Sequence, residues 1–258
     1  MKLTVLISTL NEGILGLEKV VAIVHPQVCY LVIHQNLERI SIPEFLNRTD
    51  IEVITSYTKG LSKSRNLGIK HCKTPYALIA DDDVRYFEDS FDTIIKTFEN
   101  RADLDLAMFK IKTPPGDPEY KKYPENAYVL KEESHIFSSI EIAFRLSSIR
   151  QHKIKFDRRF GLGSYIPRGE ELFFVLDTIS KKLHCMYFPY FIVEHPYESS
   201  GKTRPKGLRR KFDNGAVEER LHRFSFGKIK WKFYRESLMN NMVYILGALF
   251  IRCTRFLR

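Results

Sequence analysis

Three carboxylates stand side by side at Asp81-Asp82-Asp83, directly after the apolar run Tyr76-Ala77-Leu78-Ile79-Ala80. A short apolar run bounded by polar residues has the form of a buried strand, and Pro75 can open a strand although it cannot sit inside one. Adjacent acids at the C-terminal end of a strand repel one another unless something positive neutralises them. In an open α/β sheet, that end is also where ligands bind. A hard divalent cation carrying phosphate oxygens satisfies both conditions, because Mg²⁺ and Mn²⁺ take a few carboxylates together with substrate phosphates. The other reading is an acidic turn that caps the next helix, at Phe91-Asp92-Thr93-Ile94-Ile95. The triplet alone does not decide between them.

A second acidic pair, Glu170-Glu171, follows Gly169 and opens the apolar stretch Leu172 to Ile179. Acids in a helix's first turn are favoured by its dipole, so the pair reads by itself as a helix start. Lys63 and Arg65 fall in a helical stretch, Leu61 to Cys72, with Ser62 as a candidate cap. Guanidinium forks suit phosphate oxygens, and a solvated helix charge is the plainer alternative. His195 ends the apolar run His184 to Val193, as a metal ligand or as a strand-end histidine.

The elements that would position these groups alternate between strand and helix. Leu3 to Thr9, Val28 to Ile33, Ile51 to Ile54, the run before Asp81 and Leu104 to Lys112 read as strands. Gly16 to Val24, Leu61 to Cys72, Ser90 to Asn100 and Leu172 to Ile179 have helical spacing. Ser138 to Leu146 is an apolar strand or helix, and Pro114-Pro115-Gly116-Asp117-Pro118 marks a loop. This alternation implies βαβ units and a largely parallel sheet.

The 258 residues are 44% hydrophobic, enough for one substantial core. Cys29, Cys72, Cys185 and Cys253 are far apart and form no CxxC pair, so a zinc site or disulfide framework is not expected and a reducing cytoplasm is. The N-terminus runs straight into a strand, without a signal-peptide layout. The net charge of +10 sits in one place: residues 202–258 hold 15 Lys/Arg against 4 Asp/Glu, whereas residues 1–201 are close to neutral. Lys228-Ile229-Lys230-Trp231-Lys232-Phe233-Tyr234-Arg235 interleaves bases with aromatics, and the apolar run Met242 to Ile251 follows. That run is short for a membrane span but suits a basic amphipathic helix at an anionic interface. Packing on the catalytic domain is the alternative. No nucleic-acid-binding motif is present. These features divide the chain into a catalytic domain, 1–201, and a basic helical extension, 202–258. A chain ending near Gly201 is expected to stay soluble.

Five motifs, in order, resemble glycosyltransferase family 2, whose members have the GT-A fold. They are Ser8-Thr9-Leu10-Asn11-Glu12; Gly60-Leu61-Ser62-Lys63-Ser64-Arg65-Asn66-Leu67-Gly68-Ile69; the DXD-like Asp81-Asp82-Asp83; Phe160-Gly161 with Gly169-Glu170-Glu171; and His195 before Ser199-Ser200-Gly201. The resemblance covers residues 3–201. It implies an inverting, metal-dependent transferase that moves a sugar from a nucleotide diphosphate, UDP favoured, to a hydroxyl of a glycan or lipid-linked acceptor in cell-envelope polysaccharide synthesis. It further implies Glu171 as base with Glu170 as alternate, Asp83 and His195 as ligands of Mn²⁺ or Mg²⁺, and nucleotide contacts from Ser8, Thr9, Asn11, Glu12, Gln35, Lys63, Arg65, Asp81 and Asp82. Gln35 stands where the family often has an aspartate at the nucleobase, and its amide can both donate and accept. The alternatives are a nucleotidyltransferase, for which Asn11-Glu12-Gly13 is a poor phosphate loop, and a non-catalytic binding module built on the basic tail.

Overall fold

A computed structural model describes residues 1–132, 137–198, 206–221 and 238–254. Along the chain run β1 (Leu3–Leu10), β2 (Val28–Gln35), β3 (Ile51–Ser56), α1 (Leu61–His71), β4 (Tyr76–Ala80), β5 (Arg85–Tyr86), α2 (Ser90–Glu99), β6 (Leu106–Lys112), β7 (Tyr128–Val129), β8 (Ile142–Arg145), α3 (Leu146–Gln151), α4 (Glu170–Ser180), β9 (Cys185–Glu194), α5 (Gly207–Leu221) and α6 (Leu238–Cys253). Among the described residues nine strands form one sheet, in the order β3-β2-β1-β4-β8-β6-β9-β5, with β7 on β9. It is a mixed sheet: β1 to β4 are mutually parallel, β8 is antiparallel to both β4 and β6, and β6 pairs with β9 in parallel.

The two central strands are buried on both faces, which is why β4 reads as an unbroken apolar run and β1 as an apolar run broken only by Thr4, Ser8 and Thr9. The chain builds outward from β1 through β2 and β3, then returns to β1's other side with β4. This reversal is a switch point, and ligand crevices of α/β sheets open there at the strands' carboxyl ends. Register puts Ile7 opposite Ala80 and Leu10 opposite Gln35, so Ser8–Leu10, Gln35 and the acidic triplet emerge at one edge.

Three local expectations are corrected. No α-helix forms over Gly16 to Val24; a 3-10 turn, Asn11–Gly16, and irregular turns replace it. Gly16 and the β-branched Val20, Val21, Ile23 and Val24 weaken an α-helix there, and Asn11, at the start of the 3-10 turn, takes a positive φ of 48°. Ser62 does not cap α1. Gly60 holds that position with φ 135°, and Ser62 lies within the helix, its hydroxyl donating to the Phe160 carbonyl at 2.7 Å. Ser138 to Leu146 is neither all strand nor all helix: a 3-10 turn, Ser139–Glu141, leads into β8, and α3 begins at Leu146.

The basic extension packs where it is described. Ala216 of α5 and Ile251 of α6 join Phe160, Ile166 and Phe173 in one buried cluster. The two helices cross so closely that a Cβ on Gly215 would overlap the Tyr244 carbonyl, and one on Gly247 would overlap the Phe212 carbonyl. Backbone cannot yield as a flexible side chain can, so Gly215→Ala and Gly247→Ala should each cost about 1–3 kcal/mol, as overpacking does, read as a lowered denaturation midpoint. A change within about 0.5 kcal/mol would mean that the helices do not cross this way. The Lys228 to Arg235 stretch, Ser199-Ser200-Gly201, Arg255 and Arg258 lie outside the described residues. No described helix is long and apolar enough to cross a membrane.

Candidate active site

Arg65 is the hub of the site. Its side chain is only 1% exposed, and its two terminal nitrogens donate to Asp81 at 2.8 Å and to Glu170 at 2.9 Å. One guanidinium thus joins the acidic triplet after β4 to the acidic pair that opens α4. Burial alone would lower the Arg65 pKa, but Asp81 and Glu170 outweigh it and keep the group charged. The guanidinium also lies over the Phe156 ring, 5.4 Å from its centroid.

The motif around Arg65 spends its polar side chains on the segment that leads to α4. Asn66 exchanges two hydrogen bonds with the Phe156 backbone, both 2.8 Å, and Leu61 N–H donates to the Leu162 carbonyl at 2.9 Å. Ser64 donates to the Ser8 hydroxyl at 2.8 Å. Gly161 and Gly169 have φ of 98° and 86°, a left-handed geometry that only glycine adopts freely. This loop brings Glu170 back to a helix 105 residues away in sequence.

Each member of the triplet has its own partner. Asp81 takes Arg65, with the Ser139 hydroxyl at 3.5 Å. Asp82 accepts the Thr9 hydroxyl at 2.6 Å. Burial pushes the Asp82 pKa up and its two acidic neighbours add to the rise, against the Thr9 bond. A side chain at Gly13 would collide with both Asp82 and Thr9, so the turn after β1 needs glycine there. Asp83 points elsewhere, 3.2 Å from His195 Nε2. β5 makes this meeting possible, since Arg85 pairs with Glu194 and lays the triplet's turn along the end of β9. The triplet does not cap α2, whose cap residue is Asp89.

Asp83 and His195 suit a hard divalent ion. His195 Nδ1 lies 2.6 Å from the Pro196 carbonyl, an acceptor only, so Nδ1 carries a proton; Nε2, which here donates toward Asp83, would offer its lone pair to an ion that takes the place of its own proton. The 3.2 Å between donor atoms is close to the edge of an octahedron with ~2.1 Å bonds, about 3.0 Å. Among the described residues no group of three or more His, Cys, Asp and Glu converges on a metal position. Two protein donors match an ion that completes its shell with water and substrate phosphates. The imidazole holds the Asp83 pKa down; burial lowers that of His195, and the bond to Asp83 more than restores it.

Glu170 is buried and committed to Arg65. Glu171, half-buried, is pushed well above the ordinary carboxylate range, first by desolvation and then by the charge of Glu170. A carboxyl tuned upward is a stronger base than an ordinary glutamate once it is ionised.

Other candidates lie at the same sheet edge in supporting positions. The Gln35 carbonyl oxygen accepts from Gly60 N–H at 2.7 Å, fixing the start of α1. Asn11 uses its amide in the turn, donating to Glu38 at 2.5 Å and accepting from Leu37 N–H. Glu12 is exposed beside it. Lys63 does not join the group; it lies on the outer face of α1, along a cleft away from the acids. Ser64 and Asn66 stand in the quoted motif without an assigned role, and Glu141, buried and paired with Lys121 at 2.6 Å and with the Tyr123 hydroxyl, was not anticipated from sequence. A fully buried network of Asp157, Arg159, Asp177 and Arg220 was also unanticipated; only the Asp157-Arg158-Arg159 spacing hints at it.

The Glycosyl transferase family 2 model matches residues 4–165. No curated relative matches by sequence. Among solved structures, S. aureus TarS is 14% identical with a TM-score of 0.63, over 96% of this chain and 48% of that one. TarS 1–349 in complex with UDP-GlcNAc is 15% identical with a TM-score of 0.67, and the same protein with UDP is 16% identical at 0.63. Both are covered over 79% of their length and 96% of this chain. The chain therefore spans about half the length of that TarS chain.

Proposed function

The chain belongs to glycosyltransferase family 2, and from that premise we propose that it moves a sugar from a nucleoside-diphosphate donor to a hydroxyl of a glycan or lipid-linked acceptor, in cell-envelope polysaccharide synthesis. The observation that carries this reading is the Arg65 bridge, which fixes the acidic triplet and the acidic pair at one end of the sheet. A uridine diphosphate donor is favoured because TarS 1–349 was solved with UDP-GlcNAc and with UDP.

Asp83 and His195 would hold Mn²⁺ or Mg²⁺, which when bound supplies positive charge to the leaving diphosphate. Asp82, with its neighbours Ser8 and Thr9, lines the nucleotide side of the switch point. Gln35 and Asn11 border it, and Glu12 stands at its rim. Arg65 is a positioning residue: it orients Asp81 and Glu170 rather than reaching the donor. Glu171 takes the acceptor hydroxyl's proton, and attack from the face opposite the leaving group inverts the anomeric carbon.

Calorimetry across a panel of nucleotide sugars, with and without Mn²⁺, tests the donor. Asp83→Ala should remove the metal-dependent part of the affinity for the diphosphate product, and His195→Ala should do so in large part. Metal-dependent binding that survives Asp83→Ala would sink the assignment.

The extension adds a membrane contact to the proposal. Met242, Ile245, Leu246 and Leu249 recur on one exposed face of α6 within a segment of strong positive charge. Each Lys or Arg near an anionic bilayer contributes about 1 kcal/mol. The full chain should pellet with phosphatidylglycerol vesicles, release partly in high salt and ignore neutral ones. Indifference to anionic vesicles would limit the extension to packing.

A further inference from the structure

An open cleft of about 860 Å³ lies between the outer face of α1 and the stretch from α3 to Arg158. Lys63, Lys70, Arg150, Lys153, Lys155 and Arg158 line it, and among the described residues no acidic one does. We propose that this cleft binds a linear polyanion, a chain bearing repeated phosphate or carboxylate groups, and that this chain is the acceptor or an extension of it. The identification as acceptor rests on the transfer reading above; the binding does not.

The charges are concentrated and largely uncompensated. All six cations are exposed, and Lys63, Lys70, Lys153 and Lys155 form no ion pair among the described residues. Like charges gathered along a concave wall raise the local concentration of anions. The walls are fixed: one Arg150 nitrogen donates to the carbonyls of Ile69, Lys70 and Cys72 at 2.7, 2.9 and 2.7 Å, stitching α3 to the C-terminal end of α1. The Lys153 backbone is pinned in a left-handed turn by its N–H donating to Arg150 at 3.0 Å.

The cleft's position relates it to the active site. Ser56 and Thr58, at its rim, follow the carboxyl end of β3, and Ser56 pairs with Gln35 at the site's edge. Arg158 precedes Arg159 and Phe160 in the segment that carries Glu170 and Glu171. The end of the cleft at Ser56 and Thr58 therefore lies at the same edge of the sheet as Gln35, from which a bound chain could continue toward the acids although Lys63 itself faces away from them. Six exposed cations spread over two segments suit many-point attraction to a polymer rather than capture of one small anion. No aromatic ring lines the cleft for base stacking, as single-stranded nucleic acid would use. A concave wall is also a poor match to a bilayer surface.

Fluorescence anisotropy of the full chain with labelled inorganic polyphosphate, and separately with labelled polygalacturonate, tests the proposal and tells phosphate from carboxylate. The triple variant Lys70→Glu, Lys153→Glu, Lys155→Glu should bind the preferred polymer about tenfold more weakly or worse, and wild-type binding should weaken steeply with salt. The variant should keep the wild-type melting temperature and UDP affinity; if it melts early, the Lys→Gln version replaces it. Lys228→Glu, Lys230→Glu, Lys232→Glu removes the same charge from the extension and should leave most of the binding. Three results overturn the proposal: neither polymer binds, the loss follows the extension variant instead, or poly(U) or phosphatidylglycerol vesicles depend on the cleft lysines more than either polymer does. Polymer binding through the cleft without binding of any nucleotide sugar would keep the docking site and reject the transfer reading.

Discussion

Glu171→Gln should lower transfer by about 10²–10⁴-fold with nucleotide binding retained, the usual contribution of a positioned general base. The amide keeps the side chain's size and polarity but cannot take a proton. Glu171 is the freer of the two acids, since Glu170 is held by Arg65 at 2.9 Å. Burial and the neighbouring Glu170 charge raise the Glu171 pKa, and this fixes the sign of the pH dependence. The base works as a carboxylate, so turnover should be full above that raised pKa and fall as pH drops through it. The acidic limb should therefore lie above the range of an ordinary glutamate. A pH–rate profile and single-turnover transfer by the variant check both points. If Glu170→Gln loses turnover and Glu171→Gln does not, the roles are reversed.

The sequence makes the strands and the acids legible for a simple reason: both signals are local. β1 and β4 are buried on both faces, so they are largely apolar runs, and acids at their ends are conspicuous. Directions are less visible. Lys63 and Arg65 look alike as cations near a phosphate site, yet two residues along an α-helix is a turn of about 200°, so the one that faces the acids turns the other toward the outer cleft. That separation was available from periodicity. The pairing of Asp157 with Arg220 was not, because 63 residues separate them and nothing local marks Arg220 as a partner of Asp157. The same applies to Asn66 and Phe156, 90 residues apart. Ser138 to Leu146 was ambiguous because turn, strand and helix succeed one another within a few apolar residues.

Arg220→Met should destabilise the whole chain by about 3–5 kcal/mol, the cost of leaving buried charges without their partner. Arg220 is fully buried on α5, its Nη2 donating to both Asp177 oxygens at 2.8 Å and its Nε to Asp157 at 3.2 Å. Asp157 is shared with Arg159, whose Nη1 donates to the Ile251 carbonyl of α6 at 2.8 Å. Burial pushes the Asp157 pKa up, but Arg159 and Arg220 outweigh it and hold the carboxyl below its ordinary range. The network thus contributes stability at neutral pH and loses it as pH falls through that lowered pKa. It ties both described helices of the extension to the segment just before Glu170, across the boundary drawn at residue 201. Domains as a whole are stable by about 5–15 kcal/mol, so a chain ending at Gly201, in which Asp177 and Asp157 lose Arg220 and Arg159 loses the Ile251 carbonyl, should aggregate rather than remain soluble as the charge distribution suggested. Replacing Arg220 and Asp177 together by Leu should recover part of the loss, because an apolar pair leaves neither charge of that bond buried alone. Denaturation midpoints of the single and double variants measure this directly. A single variant within about 0.5 kcal/mol of wild type, or a shortened chain that melts cooperatively and binds UDP normally, would show that the extension is an appendage after all.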